Sequence, residues 1–563
     1  MGKEDAPIKM MSLEETIEIL KERNQHWNEL VSQYLSGELP MHLLTKNGGS
    51  NLFSLYKKAF QSNNNGLVPQ NQKFPLYIRY GGGPSLVGFK EPDEPFALDR
   101  ISLDITTLLL LDHFSLLNVF ERVETPILLP GETIFALVNM KQALEQHQPE
   151  IIQAMKLLLE YLNEKKIKEI DSKLTQASSG YEYDHLLNLA HGIGGLKGYV
   201  VGFSSHIDVW NRLDINKSNL IFITIADIVD SMRVEGIITE VQKINVVDQL
   251  GTDGLIRTNT NISLGSNLFF EASSISQLAQ TEIFSQVCAS FITWIENSEV
   301  LSIQSSLREE RDRLAFAASL QNLIDRLSRG IEDKKYAFLP HQELAESDAE
   351  SLAQDDILLR NLKENFLAGQ NNNILPTIDD LFIQRQLHNQ GVHVIGIFEL
   401  VWSAYKQDLI DATKYYDLLI EFRKSDLRYI PISGEEILFH IKQAGIDNNN
   451  ILESANLRIL KGYISTSLIT GRKLKAPTRP FDSLEAIGEF EYIISLVHSI
   501  ANSVIKIWQD SATEEQKQTR SSWIFENLYL DILTLCHIAG WEREPKDHVF
   551  LVALGLAEFF LNG

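Results

Sequence analysis

Two stretches of this chain carry the same apolar face at nearly the same distance from an acid, and that internal likeness constrains the fold more than any other feature. One opens on ISLDITTLLLL around Asp104 and the other on NLFFEASSISQLA around Glu271. Each closes on an amphipathic run, ITIADIVDSMRVEGIIT from Ile223 and IGIFELVWSAYKQDLID from Ile395. Without gaps Ile225 falls on Ile397, Val229 on Val401, Ser231 on Ser403, Ile237 on Leu409 and Ile238 on Ile410. The opening acid precedes the closing run by 225 − 104 = 121 residues in one copy and 397 − 271 = 126 in the other. Self-similarity at fixed spacing indicates a duplicated α/β module. The segment ILPTIDDLFIQRQ, with Asp379 and Asp380, closes the second copy.

A chain of 563 residues with a formal charge of −24 has several domains and no general attraction for phosphate backbones or anionic membranes. Nucleic acid would need a local basic patch. Cys288 and Cys536 have no CxxC or Cys/His spacing, so neither a disulfide framework nor structural zinc is expected. The charged start MGKEDAPIKMM lacks the apolar core of a signal peptide, and runs such as Leu108–Leu111 are too short to span a bilayer. A soluble, cytoplasmic protein is expected.

Strand-like and helical runs alternate through the middle of the chain, which implies parallel βαβ construction with chemistry at the carboxyl ends of strands. The division expected is an N-terminal mostly helical region (1–95), a first unit (96–250), a second unit with a helical insertion (251–450) and a C-terminal helical domain (451–563). Asp104 and the Asp379–Asp380 pair stand where apolar runs end or turn into helices.

The segment TIDDLFIQRQLHNQGVHVIGIFELVWSAYKQDLID resembles the closing half of PIN-like nuclease domains: an acidic pair after a strand, an arginine (Arg385), a strand and then a helix. SLDITTLLLLDHFSLLNVFERVETPILLP resembles a PIN-domain opening. The wider layout is similar to bacterial proteins that join PIN-like units to helical or tetratricopeptide regions. The resemblance implies two three-layer α/β/α units, each with a parallel sheet, flanked by helical regions. It also implies carboxylates gathered around Mg²⁺ or Mn²⁺ and cleavage of single-stranded RNA, because such ions take oxygen ligands and activate water at a phosphodiester. Carried over by position, Asp104 is the opening acid of the first copy, where Ala136 stands near the expected glutamate and the first copy's closing half offers only Asp208. In the second copy Glu271, Glu299, Asp379 and Asp380 complete the set, so the metal site is expected there.

Each acid also has a plainer reading. A DD pair, or an acid ahead of TTLLLL, caps a helix N-terminus. Acids placed like Glu271 and Glu299 are more often capping or solvated residues than ligands. The alternative to a nuclease is therefore a catalytically inactive PIN-like scaffold that meets a protein partner through its helical flanks. HGIGGLKG from His191 lacks the spacing of a phosphate loop, so no dinucleotide is expected. The cluster Arg472, Lys473, Lys475 and Arg479 is the most basic stretch of the chain and reads as a solvated loop.

Overall fold

The computed structural model describes residues 13–529 apart from 49–50, 69–71, 80–93, 146–148, 171–192, 194–195, 213–218, 252–254, 259, 341–355, 372–373, 390–391 and 471–489. Two compact units emerge. One comprises Met1–Ala143 together with Ala318–Gly563, and the other is Leu144–Ala317.

The discontinuous unit begins with helices α1 (Leu13–Leu35), α2 (Met41–Asn47) and α3 (Leu52–Asn64). A two-residue strand β1 (Leu76–Tyr77) pairs in parallel with β11 (Leu427–Arg428). The main sheet is built from β2 (Ile101–Leu103), β3 (Ile127–Leu129), β9 (Tyr336–Phe338) and β10 (Leu375–Thr377), in the order β10-β2-β3-β9, all parallel. A parallel bridge from Thr377 to Ile395 extends it beyond β10. Helix α4 (Ile105–His113) follows β2 directly, and Leu108 to Leu111 are all buried. A helix apolar on every side belongs inside a core, which is where LLLL goes. After the sheet come helices Ile397–Lys406, Ala412–Lys424 and Gly434–Gln443 and a small antiparallel hairpin of β12 (Gly445–Asp447) and β13 (Asn450–Leu452). The described residues beyond it are helical, as expected: Ala455–Thr470, Phe490–Gln509 and Glu514–Ile524. Trp523 is buried there and Trp508 is exposed, while Trp541 and the basic cluster 472–479 lie outside the described residues.

The continuous unit holds a five-stranded parallel sheet of β4 (Ile167–Ile170), β5 (Gly198–Val201), β6 (Leu220–Ile223), β7 (Asn267–Phe270) and β8 (Ile292–Glu296), ordered β4-β8-β7-β5-β6. Alternate strand residues enter two separate cores. Val201, Ile223, Leu268, Phe270 and Ile295 face one, and Val200, Phe222 and Phe269 face the other. A sheet covered on both faces is the usual state of parallel strands, and it explains why these runs read as continuously apolar.

The duplication is present, but the sheets are not assembled as two successive units divided near residue 250. Along the chain the copies are β2-β3-β4-β5-β6 and β7-β8-β9-β10-Ile395. Each copy gives its first two strands to one sheet and its last three to the other. From the closing edge, one sheet runs Ile395-β10-β2-β3-β9 and the other β6-β5-β7-β8-β4. In positions within a copy both read fifth, fourth, first, second, third. The boundaries 96–250 and 251–450 are corrected accordingly: the copies are interlaced, and Leu144–Ala317 is inserted into the other unit. Sequence periodicity reports that two copies exist, and it carries nothing about which strand lies beside which.

Candidate functional site: acids at the strand ends

In the discontinuous unit β2 and β10 are neighbours, so Asp104 and the pair Asp379–Asp380 emerge side by side at carboxyl ends of parallel strands. Asp104 caps α4: its Oδ2 accepts from the Thr106 N–H at 2.9 Å and from the Thr106 hydroxyl at 2.7 Å. The same hydroxyl accepts from the Asp379 N–H at 3.1 Å, so one threonine ties both acids together. Asp379 in turn accepts from the Ile397 N–H at 2.9 Å and 3.1 Å on its two oxygens, at the start of the helix Ile397–Lys406. Gly396 makes that approach possible, since a Cβ there would stand 2.5 Å from Asp379 Oδ1. Asp380 accepts from Ile383 N–H at 3.1 Å and from Met41 N–H at 2.7 Å.

All three acids are at most 2% exposed. Burial, with the negative charges of Glu399 and Asp104 adding to it and the Ile397 N–H opposing it, pushes Asp379 up to about 8. Burial likewise takes Asp380 to about 6, opposed by His42 and its N–H partners. Desolvation disfavours the charged form of a carboxyl, and clustered carboxyls add to it.

The cover over this cluster comes from the N-terminal helices. Gly37, at φ +71, closes α1 in a left-handed turn that a glycine adopts without strain, and its carbonyl accepts from Arg385 at 3.0 Å. Pro40 then starts α2, placing Met41 on Asp380 and His42 Nε2 3.7 Å from Asp104 Oδ2. Beside it, Arg79 Nε donates to Glu399 at 2.6 Å with both side chains buried. His42, Arg79, Thr106 and Glu399 carried no sequence signal as site residues. Only the N3 position of Glu399 in a capped helix was readable.

Oxygen donors of this kind suit a hard divalent cation, and Asp104 Oδ1 is buried without a hydrogen-bond partner. The arrangement nevertheless does not fit one. Among the described residues no three His, Cys, Asp or Glu side chains stand together so as to hold a metal ion. The Asp379 and Asp380 oxygens are already taken by backbone N–H groups.

The other two sequence candidates belong to the continuous unit, so the expected grouping of Glu271 and Glu299 with Asp379 and Asp380 is corrected. Asp104, assigned to the other copy, joins the aspartates instead because the copies are interlaced. Glu271 follows β7, is 3% exposed and lies 2.9 Å from His206 Nδ1. Glu296 ends β8 and Glu299 begins the helix Asn297–Glu332. Burial raises the Glu299 pKa, with the charges of Glu296 and Glu271 adding to it. These three glutamates form a second acidic group at adjacent strand ends. Of the remaining sequence positions Ala136 is buried and Asp208 is exposed, while Glu132, four residues before Ala136, pairs with Arg360 at 3.0 Å.

The fold and the acids define a mixed α/β protein with two parallel-sheet units whose acids gather at strand ends. A family model described as HTH_upstream_double_PIN matches residues 13–82, the stretch holding α1 to α3 and β1. The match relates the chain to a PIN-associated arrangement through its N-terminal helices. No curated protein and no solved structure matches. No helix among the described residues is long and apolar enough to cross a membrane.

Proposed function

We propose that this chain is a PIN-like scaffold that does not cleave RNA, with its acids retained as structural hydrogen-bond hubs and its helical flanks available to a protein partner. The observation that carries this reading is the Met41 N–H on Asp380 at 2.7 Å, within a cluster at most 2% exposed. A hydrolytic site of the PIN kind needs carboxylate oxygens free for a cation and room for water and a phosphodiester. Here Asp104 Oδ2 and the Asp379 and Asp380 oxygens serve helix starts. The net charge of −24 agrees, since it offers single-stranded RNA no general attraction. The test is Mn²⁺-dependent cleavage of single-stranded RNA by the wild type and by Asp379→Asn/Asp380→Asn. Equal background in both supports the scaffold, and cleavage lost in the double variant rejects it.

The second reading, a Mg²⁺- or Mn²⁺-dependent ribonuclease, finds its best support in the continuous unit. Burial raises Glu299, with the like charges of Glu296 and Glu271 adding to it, and a bound divalent cation would relieve that repulsion. Against it, His206 already sits on Glu271. Cleavage abolished by Glu271→Gln/Glu299→Gln but not by the aspartate variants would select this reading.

A further inference from the structure

The N-terminal helices match a description that speaks of a helix-turn-helix, yet they are poorly placed to read nucleic acid. A recognition helix presents three or four side chains to base edges. Of the thirteen residues of α3, only Lys58 and Gln61 are exposed. The rest of α3 is an anchor. Phe60 stacks on His113 with ring centroids 3.7 Å apart, Asn51 donates to the Met140 carbonyl at 2.6 Å, and Asn63 donates to the carbonyls of Phe74 and Ser425, each at 2.8 Å. At the far end of α1, Tyr34 accepts from the Tyr77 N–H at 2.9 Å and donates to the Pro75 carbonyl at 3.2 Å. Between these two fixed points the chain dips onto the acids.

We infer that residues Gly37 to His42 are an intramolecular ligand of the acid cluster, putting an N–H dipole and an imidazole where a divalent cation would otherwise neutralise Asp104 and Asp380, and so excluding the ion. The inference rests on the PIN-like reading of the strand ends. Met41 N stands 2.7 Å from Asp380 Oδ2, so it holds the lone pair and the space an ion would need for direct coordination at about 2.0–2.6 Å. Ile383 N–H holds the other oxygen. The imidazole of His42 faces Asp104, and Arg385 secures the loop through the Gly37 carbonyl. Both nitrogens of His42, and Asp104 Oδ1, are buried without hydrogen-bond partners, whereas the Tyr34 and Asn63 contacts are fully made. Buried polar groups are normally paired, so the loop is the poorly satisfied part of a well-satisfied clamp.

The experiment uses the full-length protein with Mn²⁺ alone as probe, read by electron paramagnetic resonance. Met41→Pro deletes the N–H yet suits the first position of a helix, and the extended Pro40 tolerates a proline after it. Combined with His42→Ala, it withdraws the ligand without touching an acid. Wild-type Mn²⁺ binding is expected to be insensitive to Asp104→Asn. The loop variant is expected to bind Mn²⁺ at least about tenfold more tightly, at a site that Asp104→Asn removes. Wild-type binding that Asp104→Asn weakens, or a folded loop variant with no gain, overturns the inference. Should the loop variant not fold, Asp380→Asn decides by hydrogen exchange. With a neutral acceptor the Met41 amide is expected to exchange about tenfold faster than in wild type, and an unchanged rate overturns the inference. RNA cleavage that depends on Glu271 would defeat the scaffold reading and leave these results standing.

Discussion

Asp227 and Glu399 hold equivalent positions in the closing helices of the two copies. Each is the third residue of a helix, Ile225–Val234 or Ile397–Lys406, and each accepts at 2.9 Å from the backbone N–H just before that helix, from Thr224 and from Gly396. Their separation, 399 − 227 = 172, equals the offset between Ile225 and Ile397, so the sequence likeness marks structurally equivalent sites. Asp227 also accepts from the Thr224 hydroxyl at 3.0 Å and the Thr258 hydroxyl at 2.9 Å. Asp227→Ala strands the buried Thr224 donors and the half-buried Thr258 hydroxyl, and a loss of about 2–4 kcal/mol is expected, above the cost of an ordinary cap. Urea unfolding followed within Leu144–Ala317 measures it, and a loss below about 1 kcal/mol would contradict the hub role.

Glu399 differs from Asp227 in carrying a buried arginine. Glu399→Gln keeps an acceptor for the Gly396 N–H and removes the charge that compensates Arg79. Breaking a buried pair from one side costs about 3–5 kcal/mol, because the remaining charge is left without water or partner. Adding Arg79→Met to Glu399→Gln is expected to recover most of that loss. If the double variant is no more stable than Glu399→Gln alone, the pair is not the source of the effect.

The raised carboxyls set a pH dependence. Burial pushes Asp379 up to about 8 in the folded chain from an ordinary value of 3.8, so the native state binds its proton more tightly than the unfolded state does. Extra protons are then held by the native state between those values. Stability from this group is full below about pH 4 and is lost as pH rises toward 8. Asp380 adds to that slope with the same sign over a shorter range, up to about 6. A tenfold difference in proton affinity between the folded and unfolded chains corresponds to about 1.4 kcal/mol. In Asp379→Asn the decline of stability between pH 5 and 8 is expected to be shallower than in wild type, as followed by thermal unfolding. Parallel profiles for the two proteins would mean that Asp379 stays ionised.

What the sequence revealed about the fold was local: the strand ends, the capping acids, the closing helices and the existence of two copies. Asp104, Glu271 and the Asp379–Asp380 pair all occupy strand ends, as their place after apolar runs implied. Pairing between distant strands was not legible. A run such as NLFF carries no register information when both faces of a sheet are buried, so nothing distinguishes a strand's own copy from the other. The cover over the acids was equally hidden. It depends on the backbone N–H of Met41 and the carbonyl of Gly37, and backbone groups are the same at every position.

A backbone constraint of the same kind protects Glu271. Gly202 follows β5, and a Cβ there would stand 2.8 Å from both Glu271 Oε2 and the edge of the Phe222 ring. Phe222 packs in the core between Trp210 and the strands, so its ring is not free to swing away. Glu271 is the more mobile of the two obstacles, and the oxygen a Cβ would meet is the one that faces His206. Gly202→Ala is therefore expected to drive Glu271 off His206 and to cost about 1–3 kcal/mol, the range for forcing an extra methyl into a packed site. The two effects separate by measurement. Denaturant unfolding gives the loss in stability, while the NMR chemical shifts of the His206 ring report whether the imidazole still lies against the carboxylate. A stable variant with unmoved His206 ring shifts would show that the strand end has more room than the Gly202 geometry allows.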